Sequence, residues 1–203
     1  MALNPAKLFL KQGKTALLIC DIQTKFSKVT FEFDKMVANT AKLINACKLL
    51  NVPMIVTEQN PTALGSTVSE FDISGAKGPF AKTQFTMYIP EVKEALLKIC
   101  SGSPPDTVLL TGLEAHVCVE MTAMELRKDG FNVHAITDCI SSRSPEDRFY
   151  ALDRMKEIGC VLATSENVIL KLVGGSDHPQ FKNILRLVRP LSGQMGTVSS
   201  SKL

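Results

Sequence analysis

Cys118 closes the string Thr111-Gly112-Leu113-Glu114-Ala115-His116-Val117-Cys118, which follows the apolar, β-branched run Asp106-Thr107-Val108-Leu109-Leu110. That run reads as a strand stopped by Gly112. Val119, Ala123 and Leu126 then recur at helical spacing until Gly130, a residue suited to a left-handed C-cap. Strand, tight turn and helix place Cys118 near a helix N-terminus at the carboxyl edge of a sheet, where an α/β enzyme keeps a nucleophile. The helix dipole and unpaired N–H groups there favour thiolate over thiol. A packed, inert thiol is the alternative, because free cysteine is among the most buried residue types. Covalent thiol chemistry also needs a carboxylate to take the proton and a cation to support the thiolate. Asp21, just past Thr15–Cys20, and Lys82, within Gly78-Pro79-Phe80-Ala81-Lys82-Thr83-Gln84-Phe85, have the right types. Each also has a plain structural reading, a helix cap or a strand-end carboxylate hydrogen-bonded to a loop for Asp21, and a solvated loop lysine for Lys82.

The elements that must bring these residues together alternate along the chain. Thr15–Cys20 is a continuous apolar run ending at Asp21, the pattern of a central parallel strand. Asp34 is suited to cap a helix whose inner face is Met36, Val37, Thr40, Leu43, Ile44, Cys47 and Leu50. Pro53–Thr57 predicts a second strand, and the segment from Glu58 to Met87 is too long for an idle connection. A helix from Pro90 to Ile99 precedes the strand that leads to Gly112. Phe131–Thr137 and Cys160–Thr164 predict two more strands around a helix that starts at Ser144-Pro145-Glu146 and is closed by Gly159. Helices over Glu166–Val173 and Pro179–Val188 follow. The spacing predicts an α/β fold, a doubly wound and mainly parallel sheet. Asp21, Glu58, Gly112–Cys118 and Asp138 then face one crevice past the strand ends.

Composition narrows the function classes. The 203 residues, 45% hydrophobic and 21% charged, suit one compact domain with an ample core. A net charge of +3 without a basic block gives no reason to expect nucleic acid or an anionic membrane as partner. No apolar run approaches a bilayer span, and no secretory leader is visible. The six cysteines (Cys20, Cys47, Cys100, Cys118, Cys139, Cys160) lack CxxC spacing. They read as reduced thiols of an intracellular protein, not as a disulfide scaffold or zinc site.

Cys20-Asp21-Ile22-Gln23, Ala81-Lys82-Thr83 and Gly112–Val119, in that order, resemble the isochorismatase-like, or cysteine hydrolase, superfamily. Val56-Thr57-Glu58-Gln59, Gly65-Ser66-Thr67-Val68, Ser141-Ser142-Arg143-Ser144, Thr164-Ser165-Glu166 and His178-Pro179-Gln180-Phe181-Lys182 are similar to its isochorismatase domain-containing subgroup. The similarity runs over residues 14–189, leaving 190–203 as a tail. It implies a three-layer α/β/α, Rossmann-like sheet of about six strands, the sixth near 58–87, and a homo-oligomer. It also implies a triad: Asp21 as general base, Lys82 as its electrostatic support and Cys118 as nucleophile forming a thioester-type intermediate. The resemblance further implies a cis peptide at Leu113–Glu114 that turns the Glu114 N–H toward the Cys118 N–H as an oxyanion hole.

Two departures bear on substrate. The metal-binding nicotinamidase branch carries an Asp-x-His pair after the second strand, where this chain has Thr57-Glu58-Gln59-Asn60-Pro61, and its first histidine is His116. No catalytic metal or cofactor is therefore expected, and nicotinamide is a poor substrate candidate. Members that cleave isochorismate work without the nucleophilic cysteine, so Cys118 argues against that reaction. If the loops fold as in the family, Gln23, Gln59, Glu114 and His116 line the pocket. His116 is read as a hydrogen-bonded wall residue before an acid–base group. Phe26, Phe31, Phe33 and Phe85 either shape the pocket or pack the core, and Arg143 meets a substrate carboxylate or lies on the surface.

The tail ends Ser201-Lys202-Leu203, a peroxisomal address read by the import receptor at a free C-terminus, with cytosol as the alternative. Its small, polar residues predict a flexible, exposed segment. Three function classes stay open. The first is a metal-independent thiol hydrolase of small amides, esters or related carbonyl compounds. The second is an interaction protein that retains the hydrolase fold. The third is a redox-responsive thiol protein, which lacks a resolving cysteine nearby in sequence.

Overall fold

Thr15–Cys20 buries all six of its residues, the mark of a strand covered on both faces. It is β1 in a computed structural model that describes residues 4–190 and Met195. The other strands are β2 (Met54–Gln59), β3 (Lys77–Lys82), β4 (Thr107–Leu113), β5 (Asn132–Ser141) and β6 (Val161–Ala163). The helices are α1 (Phe33–Leu49), α2 (Pro61–Leu64), α3 (Pro90–Lys98), α4 (Glu120–Lys128), α5 (Pro145–Glu157), α6 (Ser165–Val173) and α7 (Phe181–Val188). The strands form one sheet in the order β3-β2-β1-β4-β5-β6, every pair parallel. Alternate residues of β1 serve opposite layers. Leu17 and Ile19 pack with α1, α6 and α7, while Ala16, Leu18 and Cys20 pack with α3, α4 and α5.

Strand order reverses between β1 and β4, so their carboxyl ends diverge into a crevice at the switch point. Asp21 leaves one side of it and the Glu114–Cys118 turn leaves the other. Gly112 pairs in register with Cys20, and a Cβ there would stand 2.6 Å from both the Cβ and the carbonyl oxygen of Cys20. Only glycine lets the two strand ends approach so closely. On the far side of β4 the register moves from Leu110↔Ala135 to Gly112↔Ile140, so β5 bulges between them. Buried Arg148 holds the bulge by donating to the carbonyls of Ile140 (2.7 Å) and Thr137. Asp138 accepts from the N–H and hydroxyl of Ser165, each at 2.7 Å, and so caps α6.

The three-layer parallel sheet agrees with the sequence reading, and the sixth strand is β3, ending at Lys82. Asp34 is not the cap of α1. That position is Glu32 in the left-handed region without a side-chain cap, and Asp34 lies in the first turn, where it favours the dipole. Met195, in the segment expected to be free, is 3% exposed and joins the core beside α7. The Ser201–Leu203 address lies outside the described residues.

Candidate active site

The three side chains expected to act together converge at the crevice. The positive φ of Asp21 (54°) turns its side chain back from the end of β1. Its Oδ1 accepts from Thr57 Oγ1 at 2.8 Å, and its Oδ2 lies 2.6 Å from Lys82 Nζ. The side chains of this ion pair are 2% and 1% exposed. The Lys82 ammonium also donates to Gln59 Oε1 (2.7 Å) and to the carbonyls of Gln84 and Phe85 (3.0 Å each). Cys118 lies in a π-helical turn, Ala115–Val119, that runs directly into α4. The Asp21 carboxylate and the Lys82 ammonium both act electrostatically on its thiol, the first raising and the second lowering its pKa. Thr122 steadies the turn, donating to the Cys118 carbonyl at 2.6 Å and accepting from the Met87 N–H at 2.8 Å.

The thiol's charge state reverses one expectation. Burial above all, and then the Asp21 carboxylate, push Cys118 up to about 12, with Lys82 opposing them. The helix start does not produce a resting thiolate, because desolvation and a nearby carboxylate outweigh a partial dipole charge. At rest the nucleophile is thus a neutral thiol near a carboxylate, the arrangement from which a general base takes a proton.

The proposed oxyanion hole also changes. The cis peptide bond among the described residues is Gly78–Pro79, and Leu113–Glu114 is trans. The chain turns instead at Glu114, left-handed at φ 55° and ψ 68°. A cis bond therefore does not aim the Glu114 N–H at the Cys118 N–H.

The other expected residues divide. Gln59 holds Lys82 and donates to the Thr83 carbonyl at 3.0 Å. His116 lies beside the turn with Nδ1 3.1 Å from Ser142 Oγ and Nε2 3.6 Å from Glu114 Oε2. Gln23 and Phe26, expected to line a pocket, make contacts of their own, and Phe85 is open to solvent. The buried Gln23 amide is taken up by the backbone of Gln59 and Gly65, which ties β1 and β2 to the loop after α2. Phe26 packs against the α1 layer, and the Phe85 ring is 55% exposed, its carbonyl rather than its ring serving Lys82. Phe33 is core, Phe31 is partly buried, and Arg143 is 69% exposed. Glu58 accepts from Thr67 and Asp138 from Ser165, so both carboxylates are engaged away from the thiol.

Sequence reasoning missed Thr57 and Cys20. Cys20 Sγ lies 3.4 Å from Asp21 Oδ2, so a second thiol engages the carboxylate that acts on Cys118. Adjacency to Asp21 was the available signal for Cys20. Thr57 carried none, since only strand pairing sets it beside Asp21. Among the described residues no three His, Cys, Asp or Glu side chains gather as a metal site, and no helix is long and apolar enough to cross a membrane.

Comparison with known proteins matches residues 15–167 to the isochorismatase domain. The chain is 42% identical over 185 residues to isochorismatase domain-containing protein 2 of Danio rerio, covering 91% of this chain and 92% of that one. It is 39% identical over 185 residues to isochorismatase domain-containing protein 1 of Salmo salar, spanning 91% of this chain but 64% of that relative's length. The solved structure of MAR1 ribonuclease from Caenorhabditis elegans superposes with a TM-score of 0.88 at 40% identity, over 96% of this chain and 100% of that one. The domain match, these relatives and the shared all-parallel fold agree, and the chain belongs to the isochorismatase-like hydrolase family, in its isochorismatase domain-containing group.

Proposed function

We propose that this protein is a metal-independent thiol hydrolase of a small amide, ester or related carbonyl compound. The observation that carries the reading is the buried Asp21–Lys82 ion pair, whose two charges act on the Cys118 thiol. Asp21 takes the Sγ proton as sulfur attacks the carbonyl carbon, and the Cys118 N–H at the turn stabilises the oxyanion that forms. The tetrahedral intermediate collapses to a thioester as the leaving group departs with the proton from Asp21. Water then attacks the thioester, Asp21 removes a proton from it, and the acid leaves as the thiol is restored. Lys82 stays in contact with Asp21 throughout, offsetting its charge and holding it against the sulfur. Each proton transfer of this kind contributes about 10²–10⁴-fold.

Small amides and esters screened against wild type and Cys118→Ala, with intact-mass trapping of the acyl-enzyme, test the reading. A mass adduct on Cys118 and turnover lost in the variant are expected, and turnover that survives in Cys118→Ala overturns it. Because one similar protein bears the name ribonuclease, a single-stranded RNA belongs in the screen. The reading includes self-association, supported by the exposed Met121 and Met124 of α4 and Phe149 and Tyr150 of α5. A monomer in light scattering at micromolar concentration argues against that part. It also includes peroxisomal placement through Ser201-Lys202-Leu203.

A further inference from the structure

Glu114 Oε1 is buried and has no hydrogen-bond partner among the described residues. Buried acceptors are nearly always matched, so an unmatched one beside a nucleophile calls for a reason. The other oxygen, Oε2, lies 3.6 Å from His116 Nε2 and 4.0 Å from Arg143 Nε, both longer than a hydrogen bond. The Arg143 backbone near the carboxylate favours its charged form. The side chain is only 13% exposed, and burial raises its pKa against the opposing charges of His116 and Arg143. Its charge reaches the reacting centre, since Glu114 is among the groups that raise the Cys118 thiol.

Topology gives the direction. Asp21 follows β1, Glu114 follows β4 and Ser142 follows β5, with β4 between the other two. A leaving group that receives its proton from Asp21 lies toward β1. The acyl portion then extends the other way, toward Glu114 and the His116–Ser142 pair. We propose that Glu114 Oε1 is the specificity contact for the acyl portion of the substrate, accepting a hydrogen bond from an amino or ammonium N–H carried there. The inference rests on the thiol-hydrolase reading and adds a substrate class to it. The favoured substrates are small carbonyl compounds with a nitrogen donor on the acyl chain, over plain aliphatic or carboxylate-bearing ones. Arg143, a candidate for binding a substrate carboxylate, has its Nε directed at Glu114 instead.

The p-nitrophenyl esters of 3-aminopropanoate and butanoate differ only in an ammonium against a methyl group. Each kcat/KM is corrected for spontaneous hydrolysis and read as a ratio, so a general loss of activity in a variant cancels. Wild type should favour the amino ester, and Glu114→Gln should lower that preference about tenfold, as loss of a charge-assisted hydrogen bond requires. Glu114→Asp, which withdraws the carboxylate by one methylene, gives the same readout if the glutamine variant does not fold. Turnover that depends on Cys118 without this preference, or with a preference unchanged in the variant, overturns the inference and leaves the hydrolase reading standing. No Cys118-dependent acyl-enzyme from either ester overturns both.

Discussion

Replacing Lys82 by methionine removes the only side-chain ammonium paired with Asp21 among the described residues, while keeping the length of the apolar stem. At a separation of 2.6 Å and an effective dielectric of about 20, the gross attraction is about 6 kcal/mol. Desolvation of both ions offsets much of it, and removing one partner of such a buried pair typically costs about 3–5 kcal/mol. The deficit should depend on pH with a definite sign. In the variant the carboxylate is buried without its cation, so the folded protein takes up a proton more readily than the unfolded chain does. Stability of the variant then rises on acidification relative to wild type, and the deficit narrows from pH 7 toward pH 5. Urea unfolding of both proteins at the two pH values measures it, with Lys82→Arg as the charge-preserving control. A deficit below about 1 kcal/mol that does not change with pH refutes the buried-pair reasoning, because exposed pairs behave in that way.

Alkylation of Cys118 by iodoacetamide should be slow at pH 7 and climb about tenfold per unit through pH 8–10, as a thiol held near 12 requires. Lys82→Met should slow it further, and a rate that levels off near pH 7 by peptide mass spectrometry contradicts the protonated resting thiol. Fully buried His134 holds the Lys7 carbonyl at 2.8 Å through Nε2, and its Nδ1 has no partner among the described residues. Burial lowers its pKa, so the unfolded chain protonates first and stability falls as pH drops below about 6.5, the ordinary histidine value. Melting temperatures from pH 8 to 5 should show that slope, and His134→Gln should flatten it. Deleting Ser201–Leu203 should move the protein from peroxisomes to cytosol at unchanged melting temperature, and an unchanged distribution returns the placement to the cytosol.

The central strands were legible because a strand covered on both faces must be apolar throughout. Thr15–Cys20 and Thr107–Leu110 announce themselves in that way, and they locate Asp21 and Cys118 at one edge of the sheet. β3 was not legible. Lys-Gly-Pro-Phe-Ala-Lys is an edge strand, mostly exposed and interrupted by Gly78-Pro79, so it has neither an apolar run nor clean alternation. Its last residue is Lys82, and only pairing with β2, which sets Gln59 opposite Lys82, brings the ammonium to Asp21. Residue types and order along the chain therefore identified the groups that could do the chemistry. Tertiary structure decided their contacts and charge states: the Gln23 amide became a tie between backbones, and Cys118 became a neutral thiol. Solvent exclusion and long-range hydrogen bonds set those properties, and both depend on which segments meet across the sheet.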